Sequence, residues 1–302
     1  MLKQILKLVI PQFFFIIKDI LVGIIGKLQL LNKKSSKKIS NPNLIIIGNG
    51  PSLKTSLEKD LNTLKKCPCL VVNQFAVSDF FTIIKPTYYC LADPAYFLDE
   101  NLISQEIQKQ RYKLIEALLM VNWPMNLILP ISSYKSTFVK KCKDNKFIDI
   151  IYYNNKGNGE RLPQCTFKFW LWNNNLLAPL AMTVLNVALV FAIKNRIQHV
   201  YIIGADTSWH ETYEVDQMNN KLFTRDEHFY GTKRFQVFED AAKRKPSTLY
   251  KELHNSYKVL KYYWELKFYA QNNKVNIFNA SAYSCIDAFE RQDLSKIKPY
   301  NL

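Results

Sequence analysis

Nowhere in its 302 residues does this sequence hold the run of about 20 apolar residues that a membrane-spanning helix needs. Two apolar stretches near the start, 8–17 and 20–25, are interrupted by Pro11, Lys18 and Asp19. No Asp-x-Asp occurs, so the chain offers no acidic dyad for a divalent ion. Neither the Walker spacing nor the dinucleotide-binding glycine fingerprint is present. The six cysteines, Cys67, Cys69, Cys90, Cys142, Cys165 and Cys285, include no two pairs at zinc-ligand spacing. Cys67-Pro68-Cys69 alone is too small a ligand set for a metal site. Most cysteines lie in apolar, strand-like surroundings and read as reduced core residues of a cytoplasmic protein. Histidine is scarce, at four residues, and internal repeats are lacking.

What is present excludes disorder: 48% of residues are hydrophobic, enough to fill one large core or two small ones. Lysine and arginine number 41 against 25 acidic residues, for a net charge of +16. The first 41 residues hold eight lysines against Asp19 alone. Such a surplus favours phospholipid headgroups, nucleotide phosphates or nucleic acid without choosing among them.

Residues 1–32 read as an amphipathic membrane-association segment and 33–42 as a basic linker. Wound as a helix, Lys3, Gln4, Lys7, Lys18 and Gln29 fall on one side, with Phe13, Phe14, Ile17, Ile24 and Leu28 over much of the rest. That pattern suits a helix lying in the membrane interface, with Lys33, Lys34, Lys37 and Lys38 facing anionic lipid. A tilted spanning helix and a helix packed on the protein or a partner are the alternatives. No small-residue cleavage site precedes the lysines, which disfavours a secretory leader.

Beyond the linker, residues 43–302 alternate short β-branched runs with helical patterns. Strands are expected at 44–47, 70–72, 88–91, 127–129, 148–152, 200–203 and 275–278. Helices are expected at 54–66, 100–121, 133–143, 179–194 and 248–272. The alternation predicts an α/β fold with a mostly parallel, Rossmann-like sheet and helices on both faces. Residues 207–233 break the rhythm directly after a strand, where open α/β sheets place ligand loops, and form a candidate lid.

The most informative turn is Gly48-Asn49-Gly50-Pro51-Ser52, between the first strand and the first helix of this domain. Its glycines let backbone approach a ligand, and its amides with the Ser52 hydroxyl suit a phosphate. An ordinary turn capped by a serine fits the same residues. Asn73, at the end of the second strand, and Asp93, at the end of the third, add side chains at the same sheet edge and favour a site.

The Ile46-to-Lys54 stretch, with Asn73-Gln74-Phe75 some twenty-five positions on, resembles the bacterial sialyltransferases of glycosyltransferase family 42. It is also similar to the motility-accessory-factor and 6-hydroxymethylpterin-pyrophosphokinase-like glycosyltransferases. The similarity continues through 178–192, Val200-Tyr201-Ile202-Ile203-Gly204-Ala205-Asp206, His228-Phe229-Tyr230-Gly231 and Asn279-Ala280-Ser281. The resemblance implies a GT-A-like domain and inverting transfer of a sugar, sialic acid or a related CMP-activated one favoured, from a nucleotide donor. It implies no cofactor and no metal. By the same resemblance Asn49, Gly50, Pro51, Ser52, Asn73 and Thr183 hold the nucleotide, Asp93 lies near donor and acceptor, and Ser208, Tyr213 and Tyr230 contact the leaving phosphate.

Two positions depart from the family: Ser208 stands near where it has a tyrosine that contacts the leaving phosphate, Tyr213 covering a second such place, and Thr232 follows Gly231 where it has its histidine base, although threonine does not accept a proton near neutral pH. The candidate lid offers substitutes in His228 with Asp226 and His210 with Asp206, since a carboxylate fixes the tautomer of a histidine and stabilises its cation. Asp93 is a further candidate base. A metal set from Asp206, His210, Asp226 and His228 is conceivable by ligand type, although no metal is expected. The aromatic groups at 167–172 and 257–269 read as core. Expected partners are a nucleotide sugar, a glycan or glycolipid acceptor, an anionic membrane surface and a second copy of the chain, but not nucleic acid. The expected location is the cytoplasmic face of the inner membrane, in surface polysaccharide synthesis. A pterin-type pyrophosphokinase and a basic nucleic-acid-binding protein are the rival readings.

Overall fold

A computed structural model describes residues 2–33, 41–157, 159–180, 182–228, 231–240 and 245–297, the side chains of 2–12, 226–228, 231–233 and 239–240 excepted. After the helix α1 (Leu2–Leu30), the chain runs β1 (Asn43–Ile47), α2 (Leu53–Lys66), β2 (Cys69–Val72), α3 (Phe80–Ile84) and β3 (Tyr88–Cys90). It continues with α4 (Gln105–Leu119), β4 (Met125–Pro130), α5 (Thr137–Cys142), β5 (Ile148–Tyr153), α6 (Thr166–Asn173), α7 (Val184–Lys194) and β6 (His199–Ile203). Next come β7 (Tyr213–Val215), β8 (Leu222–His228), β9 (Gly231–Gln236), β10 (Phe238–Asp240) and β11 (Lys245–Pro246). The chain closes with α8 (Leu249–Asn272), β12 (Asn276–Asn279) and β13 (Glu290–Arg291). Residues 34–40 of the expected linker lie outside the described residues.

Eight strands form the central sheet in the order β13-β12-β6-β1-β2-β3-β4-β5, every neighbouring pair parallel. The uninterrupted apolar run of β1 follows from burial on both faces, since successive side chains alternate sides. Leu44 and Ile46 join α6, α7 and α8 in one core, while Ile45 and Ile47 join α2, α3, α4 and α5 in the other. The chain steps outward from β1 to β5 and then returns to the opposite side of β1 as β6. The order therefore reverses between β1 and β6, where loops leave in opposite directions and open a crevice.

Three helices start several residues later than their periodicity predicts, α5 among them, where Ser136 accepts from the Val139 N–H and starts the helix at Thr137. Ser104 accepts from the Ile107 N–H and starts α4 at Gln105, leaving 100–102 as a 3-10 turn. Thr183 and Asn186 form a reciprocal capping box that starts α7 at Val184. The described residues of 207–233 contribute to an antiparallel sheet, β7-β8-β9, with Tyr213 opposite Thr224 and Arg225 opposite Arg234.

Both apolar stretches of the N-terminal segment lie on the single helix α1, and no helix among the described residues is long and apolar enough to cross a membrane. One side of α1 is docked on the domain. A Cβ on Gly23 would stand 2.0 Å from the Leu176 carbonyl oxygen, and one on Gly26 2.0 Å from Asn154 Oδ1. The Gly23 carbonyl accepts from Asn154 Nδ2 at 2.9 Å, and Asp19 pairs with Arg161 at 2.6 Å. The outer side exposes Phe14, Ile17, Leu21, Ile25 and Leu28, spaced three or four residues apart along one stripe.

Candidate functional site

The β1-to-α2 turn and the loop after β6 are fastened to each other across the reversal point. Gly48 N–H donates to the Ile203 carbonyl at 2.8 Å and Gly50 N–H to the Gly204 carbonyl at 2.9 Å. A Cβ on Gly48 would meet the Gly204 oxygen at 2.3 Å, so the close approach itself requires glycine. Gly204 has φ of +59°, and a Cβ there would press on Leu53 at 2.8 Å. Thr207 also has a left-handed φ, +53°, a costly conformation for a β-branched residue that marks this loop as strained.

Around this junction the strand ends enclose a cleft of about 550 Å³. Asn49, Gly50 and Pro51 line it from the β1 turn, Asn73 from the end of β2, and Asp93 from the end of β3. Thr183 lines it at the start of α7, with Asp206, Ser208 and Tyr213 following β6. Nine of the residues singled out from sequence thus share one cavity.

Their local chemistry differs. Asn49 is buried and donates to the Val72 carbonyl at 3.0 Å, which ties the β1 turn to β2. Asn73 sits at φ of +49°, a position asparagine tolerates better than most residues, and its side-chain oxygen has no hydrogen-bond partner among the described residues. That oxygen is buried, so a donor from a ligand would meet it only after the side chain turned toward the cleft. Thr183 spends its hydroxyl on the Asn186 N–H, while Val184 and Leu185 line the cleft with first-turn N–H groups that have no partner within the helix. The positive end of α7 therefore opens into the cavity.

Asp206 is 4% exposed, and burial raises its carboxyl pKa against the opposing effect of two hydrogen bonds from Ser52. Ser52 itself does not line the cleft, because its hydroxyl and N–H both go to Asp206. Asp93 is exposed, and one of its oxygens accepts from the Ala95 N–H at 2.8 Å. Tyr213 is half-buried, which pushes its phenol pKa up. Arg225 on β8 faces the same space and pairs with Glu214 at 3.6 Å. With Asp93, Asp206 and Glu252 also lining the cleft, phosphate charge there would be met by N–H dipoles and one guanidinium rather than by a lysine cluster.

His210 stands apart from Asp206. It occupies the 3-10 turn Trp209–Glu211, where one of its ring nitrogens, a Glu211 oxygen and Cys285 Sγ lie within 4.8 Å of one another, a grouping that could hold a metal ion. Tyr283 donates to the same Glu211 carboxylate at 2.5 Å and holds its pKa down. The second expected pair, Asp226 and His228, lies on β8 as backbone only, and its side chains and the whole of Tyr230 lie outside the described residues.

Sequence reasoning passed over the wall that α8 supplies: Glu252, Asn255, Ser256, Val259 and Tyr263. These recur at helical spacing on one face, a signal that reads equally as core.

No family model matches the chain, and no curated protein matches it. Among solved structures it is similar to the MAf glycosyltransferase of Magnetospirillum magneticum AMB-1, at 11% identity and a TM-score of 0.49. The likeness covers 94% of this chain, which spans about 39% of the length of that protein.

Proposed function

We propose that the protein is a glycosyltransferase that binds a nucleotide sugar in the strand-end cleft, CMP-linked sialic acid or a related sugar being the favoured donor. The observation that carries the reading is the junction of β1, β2, β6 and α7. The Gly48-to-Pro51 turn, Asn73 and the first turn of α7 converge on one cavity at the reversal of strand order. A nucleotide fits these groups in kind: phosphate on N–H dipoles, and hydroxyl or amino donors on asparagine oxygen.

Transfer with inversion is a single displacement. The acceptor oxygen forms a bond to the anomeric carbon as the bond to the nucleotide phosphate breaks, and the acceptor proton passes to a base. The nucleotide leaves with a phosphate negative charge, which the α7 terminus, Ser208, Tyr213 and Arg225 are disposed to receive. His228 and His210 are the proposed proton acceptors because imidazole titrates near neutrality. His210 adjoins cleft-lining Trp209, and His228 enters on the resemblance of its segment rather than on its place in β8.

The enzyme is placed at the cytoplasmic face of the inner membrane, with a glycan or glycolipid acceptor of surface polysaccharide synthesis, and the exposed stripe of α1 supports only its contact with a membrane interface. The chain's lack of an Asp-x-Asp supports transfer without a metal. The test is transfer from CMP-sialic acid to a membrane-extracted acceptor with and without chelator, followed by NMR of the new anomeric centre. Inverted product formed in chelator supports the reading. Phosphate transfer from a nucleoside triphosphate that requires magnesium would replace it with the pyrophosphokinase alternative.

A further inference from the structure

A cavity larger than the cleft lies away from it. Helix α7 packs on β1, β2 and β3. Beyond it, Ile128 of β4 and Ile151 of β5 floor a space of about 850 Å³ that α1 borders through Val22 and Leu30. That volume falls in the range of small-molecule sites, about 300 to 1,000 Å³. Four lysines line it: Lys18, Lys27, Lys33 and Lys194. Its one lining carboxylate, Asp19, is paired with Arg161 at 2.6 Å. The ammonium of Lys194 meets a neutral group, Asn175 Oδ1, at 2.7 Å, and burial brings its pKa down to about 8. An apolar floor and lysines without a free carboxylate beside them describe a site for an anion that carries a hydrocarbon chain.

We propose that the groove between α1, α7 and the β4–β5 face binds a phosphate-bearing lipid drawn from the membrane. The source follows from α1, whose opposite side is the exposed apolar stripe, so the helix that borders the groove also meets the interface. In this respect the inference rests on the interfacial placement of α1 proposed above. Val187 and Val190 line the groove while Val184 and Leu185 line the cleft, so the two sites flank one helix without sharing a cavity.

The test uses the full chain with dodecyl phosphate below its micelle concentration, dodecyl maltoside and inorganic phosphate, read by native mass spectrometry and thermal shift. Dodecyl phosphate is expected to bind one to one, with no comparable shift from the maltoside or from phosphate alone. Val190→Trp fills the groove and should abolish binding while nucleotide affinity stays unchanged. Lys194→Met should weaken binding at least tenfold. Equal binding of the maltoside, equal stabilisation by inorganic phosphate, or undiminished binding in Val190→Trp overturns the proposal. If Val190→Trp does not fold, the ratio of dodecyl phosphate to maltoside affinity in Lys194→Met decides, and an unchanged ratio overturns it. Vesicle flotation of the unaltered chain reads the placement of α1 separately. Dodecyl phosphate bound without flotation keeps the groove and removes the interfacial reading, and flotation with undiminished Val190→Trp binding does the reverse.

Discussion

The Asp206 carboxylate grips Ser52 with both oxygens, accepting from its hydroxyl at 2.6 Å and from its backbone N–H at 2.9 Å. The pair joins the end of β6 to the start of α2 across 154 positions of sequence and fixes the shape of the Gly48-to-Ser52 turn. Hydrogen bonds to a charged group contribute about 1.5 to 3 kcal/mol. Asp206→Ala should therefore lower unfolding stability by about that much in urea titration and weaken nucleotide binding through the turn. Asp206→Asn, which keeps one acceptor, should fall between.

Helix α1 is held by a close approach that only glycine permits. Gly23→Ala adds a methyl 2.0 Å from a backbone oxygen that cannot turn aside. Alanine favours an isolated helix by about 1 kcal/mol over glycine, so the substitution should strengthen α1 as a helix and loosen it from the domain. Faster amide exchange in α1, with the central strands unchanged, is the expected result.

Lys194 gives the fold a signature at alkaline pH. Burial lowers its folded pKa from 10.5 to about 8, so between these values the unfolded chain holds a proton that the folded chain has released. Stability contributed by this group therefore rises as pH climbs through that interval. Lys194→Met should flatten the rise in denaturant midpoints measured from pH 7.5 to 10.

The proton acceptor is read from kinetics. His228→Ala is expected to reduce kcat by about 100-fold or more with donor affinity nearly unchanged, the usual range for a positioned base. Thr232→Ala should be mild. A large loss in His210→Ala with a near-normal His228 variant would move the role to the earlier histidine, and near-normal turnover in both would point to Asp93 or Asp206.

Much of the sheet was legible because strands buried on both faces spell continuous apolar runs rich in β-branched residues, as in Leu44 to Ile47 and Val200 to Ile203. The β1 turn and Asn73 could be placed at one edge because parallel strands present their carboxyl ends together. Other features depend on contacts that no local pattern encodes. Ser52 reads as a phosphate ligand until Asp206 is brought to it, and Gly23 and Gly26 read as gaps in an apolar helix until Leu176 and Asn154 stand against them. The three short strands β7, β8 and β9 mix polar and aromatic residues, so pairing rather than periodicity defines them. The α8 wall of the cleft shares its helical spacing with ordinary core.

Nucleotide binding at Asn73 tests the central claim most directly. Calorimetric titration with CMP, UDP, GDP and nucleoside triphosphates, with and without magnesium, should show CMP bound most tightly and without need of the ion. Asn73→Ala should weaken that binding by about 1 to 3 kcal/mol. Asn73→Gly, which suits the left-handed backbone and also lacks the side-chain oxygen, should lose a similar amount and so exclude strain as the cause. CMP affinity unchanged in both folded variants, or no nucleotide bound by the unaltered protein, would contradict a nucleotide site at the carboxyl ends of β1, β2 and β6.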